Sequence, residues 1–146
     1  MVFTSLCVFC DVGMHDRMIA DNEFAFSFLT QAPIVPGHVL ICPKRHVQTY
    51  DELRAPEKSA IEQMRKKIKT ALKKVFRAQG FNYAWNEGEV AGQSVPHFHL
   101  HVVPRKKGDI GVYCYEPREF LYRPGIRPTR PDQELKEVSD LIRRAL

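Results

Sequence analysis

The segment His97-Phe98-His99-Leu100-His101-Val102-Val103 alternates three imidazoles with bulky apolar side chains. In an extended strand successive side chains point to opposite faces, so positions 97, 99 and 101 share one face and 98, 100 and 102 the other. This predicts a row of imidazoles spaced roughly 6.5–7 Å apart, on a strand anchored by its apolar back. Imidazole titrates near neutrality, ligates metals and attacks electrophilic phosphorus or carbonyl carbon. A lone histidine on a strand is usually a packed residue. Three in strict alternation, just after Glu87-Gly88 and Gly92-Gln93-Ser94, mark this run as the seat of the chemistry.

Cys7-Val8-Phe9-Cys10 is a second constellation. Two cysteines separated by two residues let one turn offer both thiolates to a tetrahedral ion. No second such pair exists in the sequence, so the remaining ligands have to be histidines. The candidates are His46, within Pro43-Lys44-Arg45-His46, and one triad member, with the outermost, His97, taken first. Two sulfurs and two imidazole nitrogens close the tetrahedron and leave no position for water, which describes a structural zinc site. A redox dithiol is the alternative for an isolated pair, although this one precedes any βαβ pattern.

A neutral imidazole nitrogen attacks a phosphoanhydride or phosphoramidate to give a phosphorus–nitrogen intermediate that water then cleaves. The attacking ring needs its other nitrogen held as a donor, and the phosphate oxygens need donors of their own. With His97 given to the metal, His99 is the free candidate, flanked on both sides. Gln93, Ser94 and the backbone amides of residues 92–94 are the donors at hand. The rival reading makes all three histidines ligands of a catalytic metal, but the acidic ligand that hydrolytic zinc centres often add is missing.

These groups need a frame. Residues 23–29 alternate aromatic with small or polar side chains, as a half-buried strand does. Pro33-Ile34-Val35-Pro36-Gly37 reads as a turn, and residues 38–42 as a second strand, ended by Pro43 and paired with the first as a hairpin. Ile61, Met64, Ile68, Ala71, Leu72, Val75 and Phe76 recur at helical steps and predict an amphipathic helix over 56–79, with Pro56 in its first turn and Gly80 in the left-handed position past its end. Residues 81–86 read as a strand and 87–94 as a polar loop. Pro104 is expected to terminate the histidine strand. Residues 106–131 read as irregular, and 132–145 as a closing helix with Leu135, Val138, Leu141 and Ile142 on one side. The expected architecture is one α+β domain over 1–146 with an antiparallel sheet.

Composition narrows the class. The 146 residues suffice for a real core, and 44% hydrophobic with 27% charged content is ordinary for a globular chain. No apolar run approaches the roughly 18–20 residues of a membrane span. The first seven residues lack the features of a secretory signal, so the expected location is the cytoplasm, where cysteines are more often ligands than disulfides. Cys42 and Cys114 read as small buried apolar groups. The net charge of +5 favours an acidic partner. Much of it lies in Arg65, Lys66, Lys67, Lys69, Lys73, Lys74 and Arg77, which a solvated helix face explains. No interleaved aromatic and basic strand pattern supports nucleic-acid binding.

The triad run resembles the signature of the histidine triad superfamily of nucleotide hydrolases and nucleotidyl transferases. The likeness extends through Asn86-Glu87-Gly88, Gly92-Gln93-Ser94-Val95, Pro36-Gly37-His38 and Pro43-Lys44-Arg45-His46, covering residues 3–105. It implies a five-stranded antiparallel sheet with helices, and a homodimer joined through the long helix and the sheet edge. It implies His99 as the nucleophile that takes up a nucleoside monophosphate, His101 at the phosphate or bridging atom, and Asn86, Gly92, Gln93 and Ser94 around the phosphate. It also implies zinc held by Cys7, Cys10, His46 and His97. The family's ribose-binding aspartate is replaced here by Thr30, followed by Gln31, and one hydroxyl stands where a carboxylate would accept two bonds. The substrate expected from the resemblance is a dinucleoside polyphosphate, nucleoside phosphoramidate or nucleotidylated metabolite. The alternative is a zinc-stabilised nucleotide-binding module with little turnover.

Overall fold

The computed structural model describes residues 7–10, 15–109 and 128–146. The readings made for Cys114 and for most of the irregular stretch 106–131 lie outside these residues.

Five strands form one sheet: β1 (Met18–Asp21), β2 (Ala25–Leu29), β3 (Val39–Pro43), β4 (Gly80–Ala84) and β5 (Leu100–Arg105). Their order across the sheet is β1-β2-β3-β5-β4, with every neighbouring pair antiparallel. The long helix α1 (Ala55–Phe76) packs against β2, β3 and β5, and α2 (Asp132–Ala145) packs against α1 and β1. The α+β expectation holds, as does the β2–β3 hairpin, with Phe28 opposite Leu40 and Phe26 opposite Cys42.

Helical periodicity decides which face of α1 is buried. Ala60, Ile61, Met64, Ile68, Ala71 and Leu72 are buried against Ile41, Phe98, Leu100 and Val102. Lys66, Lys67, Lys73 and Lys74 face solvent, so the basic run is the helix's outer face. On the opposite side of the sheet Phe26, Phe28, Leu40 and Cys42 make a smaller apolar layer, joined by Phe9 and Met18. Strands β2 and β3 are therefore buried on both faces.

Four details differ from the sequence reading. β1 was not expected; four residues ending on an exposed aspartate carry little periodic signal. Helix α1 stops at Phe76, and the left-handed residue is Arg77 (φ 55°), while Gly80 opens β4. Pro104 does not end its strand: it pairs with Phe81 of β4 inside β5, where the pairing with β3 has already stopped at Val102 and a missing donor is tolerated. The regular strand begins only at Leu100, so His97, in a bend, and His99 sit in the segment that leads into β5. The left-handed glycine of the β2–β3 connection is Gly37 (φ +91°), where a Cβ would come 2.7 Å from the Phe76 ring.

The last residue of β3 and the segment after it brace the triad run. The Pro43 carbonyl accepts from His97 Nε2 at 2.8 Å, the Val47 carbonyl from the Phe98 amide at 2.7 Å, and the Gln48 carbonyl from Gln93 Nε2 at 2.9 Å. That segment is itself tied to α1. Arg45 donates through Nε and Nη2 to both oxygens of buried Glu57 (2.9 and 2.8 Å), and Glu57 also accepts from the Arg54 amide at the helix start (2.7 Å).

Candidate active site and metal centre

The alternation read from the sequence survives in three dimensions. Phe98, Leu100 and Val102 enter the core under α1, and the histidines emerge on the other face. His99 and His101 stand with ring centroids 5.0 Å apart. His97 turns toward His46 instead, with their rings edge to face at 5.0 Å.

Hydrogen bonds assign each imidazole its tautomer. His99 Nδ1 lies 2.8 Å from the His97 carbonyl, which can only accept, so Nδ1 carries the proton and Nε2 keeps its lone pair. Burial holds the His99 imidazole below the usual histidine range, partly offset by that bond, and the ring is neutral near pH 7. His38 is fully buried; its Nδ1 accepts from the Ile34 amide at 3.1 Å, which leaves the proton on Nε2. That proton points at His101 Nδ1, 2.9 Å away, so His101 carries its own proton on Nε2. The site thus pairs an unprotonated nitrogen on His99 with an N–H donor on His101, which is the pairing a nucleophile and an oxygen-stabilising or leaving-group donor require.

His97 uses its remaining valences differently. Its Nε2–H goes to the Pro43 carbonyl, leaving Nδ1 open toward Cys7 Sγ (3.6 Å) and Cys10 Sγ (3.5 Å). His46 Nδ1 lies 3.2 Å from Cys10 Sγ. One donor atom from each of the four residues falls within 4.8 Å of the others. Burial drops the His97 imidazole to about 4, so it is neutral and free to ligate. Burial and the adjacent Cys7 push the Cys10 thiol up to about 11. A dication reverses that preference, because a coordinating thiol is deprotonated outright. The donor set fits zinc with no open position, and Cys7, Cys10 and Cys42 are free thiols.

The loop from β4 to β5 is held by its own polar side chains. Gln93 is buried and its amide braces the loop: Nε2 donates to the Gln48 carbonyl, and Oε1 accepts from the Gly88 amide at 2.8 Å. The backbone amides of Gly92 and Gln93 donate to Glu89 and Gly88. Asn86 Nδ2 donates to the Gly92 carbonyl at 3.3 Å. Ser94 is exposed at the loop's exit. Thr30 donates its amide to the His38 carbonyl, and its Oγ1 receives the Ala32 amide at 3.4 Å. Gln31 is exposed, and its carbonyl accepts from the Arg130 amide, which brings the chain before α2 to this turn.

The sequence reading gave no role to two residues that the geometry brings in. His38 could have been found from register: Leu40 pairs with His101, so His38 lies two residues along on the same face. Phe9, between the two cysteines, carried no readable signal. Its ring meets His99 edge-on at 5.0 Å, His97 at 6.0 Å and Phe28 at 5.2 Å.

Comparison with known proteins places this arrangement. Residues 13–108 match the model of the HIT domain, and the chain belongs to the HIT domain family. It is 40% identical over 105 residues to an uncharacterised HIT-like protein of Mycoplasma genitalium, covering 70% of this chain and 74% of that protein. It is 37% identical over 123 residues to a bis(5'-adenosyl)-triphosphatase of Dictyostelium discoideum, covering 82% and 79%. A zinc-bound histidine triad family protein from Mycobacterium smegmatis superposes with a TM-score of 0.74 at 30% identity, covering 97% of this chain and 94% of that one.

Proposed function

We propose that this chain is a nucleotide hydrolase or nucleotidyl transferase that cleaves at an α-phosphorus through a covalent nucleotidyl-histidine on His99. The observation that carries the reading is the pair of fixed tautomers, a lone pair on His99 Nε2 and an N–H on His101 Nε2, on rings whose centroids stand 5.0 Å apart. His99 Nε2 attacks the α-phosphorus as the bond to the leaving group breaks. His101 Nε2–H meets the developing charge on the phosphate or bridging atom. Water or another acceptor then displaces the nucleotide and restores His99. The likeness to a bis(5'-adenosyl)-triphosphatase favours dinucleoside polyphosphates as substrates. The nucleotide then lies between Asn86 and Ser94 on one side and the Thr30–Gln31 turn on the other. Gly92 and Gln93 act there through the shape of the loop. Incubating the protein with diadenosine triphosphate and mapping an added adenosine monophosphate to the peptide bearing His99 tests the reading; an adduct on another residue overturns it.

In this reading Cys7, Cys10, His46 and His97 hold one zinc ion, supported by their donor geometry and by the zinc-bound relative. Bound there, the ion would supply cross-linking of the N-terminal turn to the sheet rather than an activated water. The protein acts in the cytoplasm as a homodimer. Supporting the dimer, a groove of about 570 Å³ between α1 and β4 is edged by Tyr83 and Trp85, 39% and 43% exposed. Trp85 stacks on Tyr50 there, and Arg65 lies over the Tyr83 ring. A second copy presenting the same apolar strip is the occupant that fits a self-complementary two-fold contact.

A further inference from the structure

Two links join the four-ligand cluster to His99. The first runs through one residue: His97 offers Nδ1 to the cysteines while its carbonyl, 2.8 Å from His99 Nδ1, sets the tautomer of the next imidazole. The second runs through the two residues, Val8 and Phe9, between the two cysteines. Cys7 and Cys10 are joined by a backbone turn (Cys10 amide to Cys7 carbonyl, 3.0 Å), and that turn delivers Phe9 edge-on to His99. Phe9 is seated from below by Phe28 of β2. His99 is therefore bounded by one contact from the loop that the cysteines close and one from the backbone of a third ligand.

We propose that the Cys7/Cys10/His46/His97 site is a positioning device for the nucleophile, and that Phe9 is the positioning residue that transmits its closure to His99. The proposal rests on His99 being the nucleophile, and it goes beyond a stabilising role for the metal. Without the cysteine loop drawn to His46 and His97, Phe9 is left to its ring contacts with Phe28 and His97 and to the apolar layer beneath it, none of which closes the turn over the imidazole. The His97 carbonyl also loses the anchor of its side chain at Nδ1. The His99 ring then samples orientations in which Nε2 no longer faces the substrate. Misplacing a reacting group by about 1 Å costs on the order of 100-fold in rate, so the effect belongs to the chemical step and not to binding.

The test uses the full chain loaded with zinc, comparing wild type with Phe9→Ala, Phe9→Leu and, as a control in the same loop, Val8→Ala at a residue that is 59% exposed. Metal content, affinity for adenosine monophosphate and the single-turnover rate on diadenosine triphosphate are measured for each. With zinc retained at one per chain, Phe9→Ala is expected to slow the chemical step by about 10- to 100-fold at nearly unchanged affinity, with Phe9→Leu between it and wild type. Val8→Ala should match wild type. A second readout is independent of turnover: the ring-nitrogen NMR shifts of His99. These should report a single Nδ1–H tautomer in zinc-loaded wild type and an averaged one in Phe9→Ala and in the metal-free protein. A Phe9→Ala rate equal to wild type overturns the proposal. So does an unchanged His99 tautomer after zinc is removed or Phe9 truncated, which decides the matter if the variant's rate is confounded by poor folding. If wild type forms no adduct on His99, the proposed function fails; if it does and Phe9 is neutral, only the positioning role fails.

Discussion

His38 Nε2 lies 2.9 Å from His101 Nδ1, and the Ile34 amide on the far side of His38 decides which of the two nitrogens between them carries the proton. A backbone N–H thus selects the tautomer of a site imidazole through one intervening ring. His38→Phe keeps an aromatic ring but removes both nitrogens. It should lower kcat by about 10- to 100-fold, because His101 is no longer held with its proton on Nε2. KM should move little, since His38 is fully buried. Steady-state kinetics showing wild-type kcat would remove the relay from the account.

The metal centre predicts one zinc ion per chain in protein purified without chelators. Cysteine–histidine sites couple metal binding to folding, so Cys10→Ser should lower the melting temperature more than it lowers nucleotide affinity. Elemental analysis together with thermal melts checks both halves. Freshly purified protein without zinc contradicts the assignment.

Glu57 predicts a pH dependence of stability. The Arg45 side chain, followed by the Arg54 amide, holds its carboxyl below the usual carboxylate range, although burial opposes this. A depressed folded-state value means that the unfolded chain binds the proton more tightly. The stabilisation is therefore present above the ordinary value of 4.5 and is lost as pH falls through the lowered one. Glu57→Gln should cost about 1–2 kcal/mol at pH 7, tempered by the solvent exposure of Arg45, and the difference from wild type should shrink toward pH 3. Urea titrations at the two pH values give the comparison, and a pH-independent difference would refute it.

Much of this site was legible because strand alternation is a strict rule: His99 and His101 could share a face only if Phe98, Leu100 and Val102 shared the other. The cluster of Cys7, Cys10, His46 and His97 was legible from the two-residue cysteine spacing together with zinc chemistry that needs two more nitrogens. What stayed hidden depends on contacts distant in sequence. His38 meets His101 only once β3 and β5 are in register. Phe9 meets His99 only once the cysteine turn folds onto the sheet. Gln93 reads as a phosphate-site residue from its place in the loop, but nothing in the sequence signals that one Nε2 hydrogen goes to the Gln48 carbonyl, forty-five residues away. The end of α1 was misplaced because Gly80 is the obvious left-handed candidate, while Arg77 adopts that conformation where the chain turns into β4.

The exposed Tyr83 and Trp85 predict a dimer with twice the chain's 16.9 kDa mass in light scattering at micromolar concentration. Trp85→Glu should return it to a single chain by placing a charge in an apolar contact. A wild-type protein with the mass of one chain would contradict this reading of the α1–β4 face.

The central claim is that bond formation occurs at His99 Nε2, and single-turnover kinetics of His99→Asn test it most directly. Asparagine cannot supply the nucleophilic nitrogen, while the Gln93–Ser94 loop and the metal ligands remain in place. With diadenosine triphosphate or an adenosine phosphoramidate, the rate should fall by roughly three orders of magnitude or more. Nucleotide affinity should stay within about tenfold of wild type. His101→Ala should be milder, because it removes a donor and leaves the nucleophile. A His99→Asn rate near that of wild type would contradict catalysis through this histidine.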